Sequence, residues 1–275
     1  MPSNTEITCA QLQRLVGLPD APAIVDVRTD EDYAADTRLL PAALRRDFAR
    51  ADDWAGEFPE RHVIVVCRHG GKLSQGAAAW LRHNGVTAES LEGGFEAWRQ
   101  SEGLLLSPDR VPERDAGGRT VWVTRARPKV DRIACPWLIR RFIDRNAVFL
   151  FVTASEVPAV AERFGATPFD IEGAFWSHRG EECTFDTMLQ EFGLRSAALD
   201  RLATIVRAAD TARLDLVPQA SGFLAASLGL SRMYRDDLEQ LDAGMLLYDA
   251  FYRWCRDAVE ETHNWPSAKP GEARS

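Results

Sequence analysis

No run in the 275 residues approaches the roughly 20 apolar positions that cross a bilayer as a helix, so neither a membrane span nor a membrane partner is expected. The first residues, MPSNTEITCAQLQRL, lack a basic stretch leading into an apolar core and a small-residue cleavage site, so a secretory signal is not expected there. Cysteine is scarce. Cys9, Cys67, Cys135, Cys183 and Cys255 stand far apart with no C-x-x-C pair, which argues against a disulfide framework and suits reduced thiols in the cytoplasm. Positive charge is short as well: 33 Lys and Arg face 41 Asp and Glu, for a net charge of -8. The average field therefore repels polyanions, which argues against a nucleic-acid partner. There is no internal repeat.

What is present reads as a folded α/β chain. Hydrophobic residues make up 45% and charged residues 27%, the balance of a globular protein. The length favours two domains. Residues 23–27 (AIVDV) and 63–67 (VIVVC) are short branched apolar runs of the kind that form buried parallel strands. After Cys67 comes the loop RHGGK, then an alanine-rich helix with a glycine stop at Gly85. A strand over 86–91, a tight turn at Gly93 and Gly94 and a closing helix (FEAWRQ) complete a parallel sheet with helices on both faces. The segment 107–119 (SPDRVPERDAGGR) is rich in proline, glycine and charge and marks a linker. The expected division is therefore 1–106, a linker at 107–119, a mainly α-helical domain with a few strands over 120–265, and a mobile tail at 266–275. In the second half, strands are expected at 120–124 and 148–152. An apolar stripe at positions 238, 241, 245, 248, 252, 255 and 259 predicts one long helix with Cys255 in its core face.

Cys67 is the leading candidate for chemistry. A thiol at the C-terminal end of a buried strand, just before a helix, sits where open α/β folds place their ligands. The following helix N-terminus, with Arg68 and Lys72, favours a thiolate. A cysteine phosphatase would need an arginine six positions after the nucleophile, and that position is Leu73, which cannot bind phosphate oxygens. The plainer alternative is a buried strand-end cysteine in a binding-only module.

The loop CRHGGKLS resembles the active-site loop of the rhodanese family, whose cysteine carries a sulfane sulfur as a persulfide. Asp26-Val-Arg28 with Glu31 and Tyr33 is similar to that family's first strand and acidic turn, and LEGGFEAW at 91–98 to its closing motif. The stretch after the first strand, RLLPAA at 38–43, keeps only the proline and the final alanine of the family's pattern. The resemblance implies Cys67 as catalytic nucleophile and Arg68, His69, Gly70, Gly71 and Lys72 as the substrate-binding cradle. It further implies a small anionic sulfur donor of the thiosulfate type, a thiol or cyanide acceptor, and no cofactor for the transfer. Relatives often carry arginine where Lys72 stands; lysine keeps the charge and loses the planar fork.

In the second half, WVTRARPKVDRIACPWLIRRFID at 122–144, ATPFDIEG at 166–173, HRGEECTFDTML at 178–189 and the segment 205–232 resemble the C-terminal domain of chromate-resistance (ChrB-type) proteins. That implies a role in a chromate or other oxyanion response, either coupled to sulfur transfer or, alternatively, as a non-catalytic oxyanion or redox sensor. Residues 125–145 carry an excess of five positive charges. Arg125, Arg127, Arg132, Arg140 and Arg141 are candidates for oxyanion binding, since guanidinium forks match tetrahedral anions; a solvated, ion-paired helix face is the alternative. Cys135 reads as core. His178, Cys183 and Asp186 are weak metal candidates, because they lack paired ligand spacing. For Asp210 and Asp215, helix capping or surface solvation is expected.

Overall fold

Alternation within the two apolar runs sets the first sheet. The structure, a computed structural model, describes residues 5–59 and 61–261; the expected tail at 266–275 lies outside them. Strand β1 (Glu6–Ile7) leads into helix α1 (Cys9–Leu15), which Thr8 and Gln11 cap reciprocally. Then follow β2 (Ala23–Asp26), α2 (Asp30–Ala35), β3 (Leu44–Arg45), α3 (Ala51–Trp54), β4 (Val63–Val66), α4 (Lys72–His83), β5 (Ala88–Leu91) and α5 (Gly94–Gln100). The five strands are parallel in the order β1-β5-β4-β2-β3.

Strands β2 and β4 are buried throughout and in register, Ile24 opposite Ile64 and Val25 opposite Val65. Because successive side chains point to opposite faces, Val25, Val63, Val65 and Cys67 join one buried cluster with Trp54, Ala77, Ala78 and Leu81 from α3 and α4. Ile24, Ile64, Val66 and Leu91 join another with Leu12 from α1 and Phe95 and Trp98 from α5. Each such side chain taken fully out of water contributes ~1.5–3 kcal/mol.

The second half adds β6 (Val121–Arg125), α6 (Asp131–Leu138), β7 (Val148–Val152), α7 (Val157–Phe164), β8 (Thr167–Pro168), α8 (Thr184–Phe192), α9 (Ala197–Asp210), α10 (Gln219–Met233) and α11 (Asp237–Asp257). Its sheet is parallel, ordered β7-β6-β8. Both strands expected from sequence are there, shifted by at most one residue. Helix α6 runs through Pro136 and opens into one wide turn over Ile139–Ile143, where the Asp144 amide reaches back to the Ile139 carbonyl. The stripe of α11 buries Leu241, Met245, Tyr248, Tyr252 and Cys255. Leu238 at its start stays half exposed, and Val259 falls beyond the helix.

Composition at 107–119 suggests separate units, yet the α1/α5 face of the first sheet shares one buried cluster with Trp122, Trp137, Phe142 and Tyr252 of the second half. Backbone bonds stitch the seam: the Ala42 amide donates to the Phe142 carbonyl at 2.7 Å, and the Ser107 amide to the Phe192 carbonyl at 3.1 Å. Arg145 donates to the carbonyls of Ala21 and Pro22 at 2.7 and 3.0 Å.

Candidate functional site

Cys67 follows the last residue of β4, is 5% exposed and faces the α4 side of the sheet. Its Sγ lies 3.1 Å from the Ser74 hydroxyl, which in turn lies 3.2 Å from the Gly71 carbonyl. With a neutral thiol, Ser74 can donate to Gly71 and accept from sulfur. With a thiolate it can rotate and donate to sulfur. The sequence assigns Ser74 no role; its place in the first turn of α4, seven residues after the cysteine, is the signal that points to one. Ser74→Ala is expected to lower kcat/KM for sulfur transfer about tenfold, from ~1.5 kcal/mol lost with a hydrogen bond to a charged group, at nearly unchanged melting temperature. Steady-state kinetics on the variant check this, and unchanged kcat/KM removes the role.

The five-residue cradle is held from below by backbone. Gly70 has φ +69°, and a Cβ there would sit 2.5 Å from the Leu91 carbonyl and 2.7 Å from the Gly93 nitrogen. The Phe95 amide donates to the Cys67 carbonyl at 2.9 Å, and the Glu96 amide to the Arg68 carbonyl at 3.0 Å. So the start of α5 absorbs the loop carbonyls. Among the described residues, none of the amides from 68 to 72 donates to another protein group, which leaves them available to an anion at Sγ. The Asp26-Arg28 motif is a pin at the neighbouring strand end. Arg28 pairs with Asp26 at 2.6 Å, donates to the carbonyls of Asp36 and Arg38, and stacks over Phe95 at 3.8 Å.

The two cations of the loop differ. Arg68 is tied to Asp32 at 3.0 Å and approaches Glu96 at 3.8 Å, so much of its charge is already matched. Lys72 is exposed and has no ion pair among the described residues. His69 is exposed beside them.

In the second half the five arginines do not converge on one point. Arg140 pairs with Asp242 at 3.2 Å and Arg141 holds Asp249 through two bonds of 2.8 and 2.7 Å, both partners on α11. Arg127 donates to the carbonyls of Ser231 and Tyr234. Only Arg125 and Arg132 come together, 3.8 and 3.2 Å from Asp170. Arg125 lines a cleft of about 830 Å³ with Asp170, Ser177 and His178.

Of the three weak metal candidates, Cys183 and Asp186 cap the start of α8. The Cys183 amide and thiol both donate to Asp186, whose other oxygen holds Arg207 at 2.9 Å. Burial, followed by the charges of Asp131 and Asp186, pushes the Cys183 thiol up. Burial pushes Cys135 up too, with Asp131 and Asp170 adding to it, so both are core thiols in character.

His178 goes elsewhere. Its Nε2 lies 3.5 Å from Asp131, 3.4 Å from Asp170 and 3.1 Å from Asp210. Burial, then the charges of Asp210 and Asp170, raises the fully buried Asp131 carboxyl well above the usual range; Asp210 is raised by burial and Asp170. The bond to Asp170, then the charges of Asp131 and Asp210, hold His178 up at about 9 against desolvation. Nothing periodic in the sequence links these four positions, and Asp210 read as a capping residue.

Comparison with known families matches residues 8–101 to the rhodanese-like domain and 122–255 to the ChrB C-terminal domain. Thiosulfate sulfurtransferase GlpE of Pseudomonas fluorescens is 37% identical over 83 residues, 28% of this chain and 71% of that protein. Protein ChrB of Cupriavidus metallidurans is 36% identical over 160 residues, 54% of this chain; the chain spans about half (48%) of its length. Among solved structures, a rhodanese-like domain protein from Staphylococcus aureus is 30% identical, matching 34% of this chain and 90% of its own at a TM-score of 0.31. A rhodanese homolog from Thermus thermophilus is 34% identical, matching 34% of this chain and 98% of its own at 0.27. The chain thus belongs to the rhodanese-like family through its first hundred residues, and joins to that domain a second one of the ChrB C-terminal type.

Proposed function

We propose that this protein is a sulfurtransferase of the thiosulfate type that works through a Cys67 persulfide, in the service of chromate or oxyanion resistance. The thiolate of Cys67 attacks the outer sulfur of thiosulfate. The S–S bond of the donor breaks, sulfite leaves with the electron pair, and Cys67 keeps one sulfur as a persulfide anion. Cyanide or a thiolate then attacks that outer sulfur, and the Cys67 thiolate returns as thiocyanate or a new persulfide departs. Splitting one transfer into two displacements is the usual benefit of covalent catalysis.

The observation that carries this reading is the position of Sγ, beside Ser74 at the end of β4 and under a loop whose amides have no other protein acceptor. The resemblance to GlpE supports the same reaction class. All five cysteines are unpaired, which suits a reducing cytoplasm, and no helix among the described residues is long and apolar enough to cross a membrane. The link to an oxyanion response rests on the ChrB-type second half. Arg125 is its contact point of choice for chromate, as it lines the open cleft, with Arg132 behind it on Asp170, while Arg127, Arg140 and Arg141 hold other elements.

The test is cyanide-trapped thiocyanate formation, which should depend on thiosulfate and follow ping-pong kinetics. Absence of donor-dependent turnover in the reduced protein would favour the sensor reading. Lys72→Ala should raise the KM for thiosulfate about threefold to tenfold while kcat changes less than about twofold, because Lys72 is the unmatched cation of the loop. The difference should shrink as salt rises, since exposed charges are screened over roughly 8 Å at physiological ionic strength. An unchanged KM at low salt assigns donor binding to the loop amides alone.

A further inference from the structure

We infer that Asp131, Asp170 and His178, with Asp210 against the His178 nitrogen, form a binding site for one divalent transition-metal cation in the second half of the chain, independent of Cys67. Asp131 Oδ2 and Asp170 Oδ1 lie 3.5 and 3.4 Å from His178 Nε2, and Asp210 Oδ2 lies 3.1 Å from the same nitrogen. Ligands about 2.0–2.2 Å from a common ion are ~2.8–3.1 Å apart along the edges of an octahedron and ~3.3–3.6 Å along those of a tetrahedron. One ligand atom from each of Asp131, Asp170 and His178 falls within 4.8 Å of the others.

A cluster of carboxylates alone would not make a site. The independent observation is Asp131, whose side chain is fully buried and whose second oxygen, Oδ1, has no hydrogen-bond partner. A buried carboxylate oxygen left without a partner is costly, and a bound cation that this carboxylate chelates through both oxygens removes that cost.

The start of α8 orients two of the ligands through one oxygen of each, and on Asp131 it leaves Oδ1 unbonded. The Thr184 amide donates to Asp131 Oδ2 at 2.5 Å, and the Thr184 hydroxyl donates to Asp170 Oδ1 at 2.9 Å. Arg125 and Arg132 approach Asp170 only at its outer oxygen, Oδ2. Such outer contacts hold a ligand set in place. His178 is 40% exposed in its side chain and lines the 830 Å³ cleft, so an ion has a way in and the solvent side stays open to water or an anion. Two carboxylates and one imidazole with open positions suit Mn²⁺ or Zn²⁺, and the nearby Asp210 carboxylate adds negative charge.

The untagged full chain is stripped with a chelator and titrated at neutral pH with Mn²⁺, the free ion being read by electron paramagnetic resonance, and separately with Zn²⁺ against a chromophoric chelator. One ion per chain is expected, with affinity lowered at least about tenfold in His178→Ala and in Asp210→Asn. His178 and Asp210 are the most exposed members, so both variants should fold, which far-UV circular dichroism checks. Saturating metal should raise the melting temperature of the parent chain clearly more than that of His178→Ala. No saturable binding of either ion up to about 1 mM, a free energy of only ~4 kcal/mol, overturns the site. So does binding that both folded variants retain in full.

Discussion

Cys67→Ser is expected to abolish thiocyanate formation, by about a thousandfold or more, while the protein stays folded. The alcohol has no accessible anion at neutral pH, and an oxygen in that place cannot hold a sulfane sulfur as a persulfide. The fold should tolerate the change. The side chain is 5% exposed and already beside a hydroxyl at 3.1 Å, so the serine can exchange a hydrogen bond with Ser74 where the thiol made its contact. A stability change within ~1 kcal/mol follows, read as a shift of a few degrees in melting temperature. Mass spectrometry after incubation with thiosulfate should show one added sulfur atom on the parent chain and none on the variant. Thiocyanate production by Cys67→Ser at more than about a hundredth of the parent rate would move the sulfur to another residue and sink the assignment.

Much of the first hundred residues was legible because their signals are local. The runs at 23–27 and 63–67 are apolar at every position except Asp26, which Arg28 pairs, and a strand covered on both faces favours such runs. The glycines of LEGGFEAW marked a turn, and the physical reason emerges from the fold: Gly93 and Gly94, at φ +68° and +61°, let a helix start pack against the Cys67 loop. The edge strands β1 and β3, two residues each, are too short to show any period. The shared core across the seam was also invisible, since Gly17, Phe142 and Tyr252 meet over long separations: a Cβ on Gly17 would lie 2.5 Å from Phe142 and 2.9 Å from Tyr252.

The basic segment shows the limit most plainly. Its excess of five charges is a property of sequence neighbours, whereas the carboxylates that answer Arg140 and Arg141 come from α11, more than a hundred residues on. Burial ranks the two cases: the Arg141–Asp249 pair is 16% and 10% exposed at its side chains, the Asp242 carboxylate 74%. Arg141 therefore anchors a helix, with Trp137 sharing the same Asp249 oxygen at 2.8 Å, while Arg140 makes a surface contact of little energetic consequence. The Asp131 cluster was equally hidden. Its four members sit at the start of α6, after β8, before α8 and at the end of α9, and only the packing of those elements brings them together.

Gly94→Ala should be nearly as damaging to sulfur transfer as loss of the nucleophile, and by a different route. Gly94 opens α5 at φ +61°, a conformation that L residues avoid, and an added Cβ would overlap the Cys67 carbonyl oxygen and the Gly70 nitrogen and lie 2.9 Å from the Arg68 carbonyl carbon. All three are backbone atoms, so no side chain can swing aside. The loop must shift, and with it go the bonds from the Phe95 amide to Cys67 and from the Glu96 amide to Arg68. Strain and overpacking together should cost ~2–4 kcal/mol of stability. A cradle displaced by about 1 Å should lower kcat/KM about a hundredfold. Gly93→Ala is the matched control. It carries the same kind of positive φ, yet its Cβ would meet Ala97 at 2.5 Å within α5 and leave the Cys67 loop untouched. Denaturant titration should therefore show both variants destabilised, with the large loss of turnover confined to Gly94→Ala. Equal loss of turnover in the two, measured where both are fully folded, would show that the positive-φ turn matters through the stability of α5 and not through its grip on the nucleophile loop.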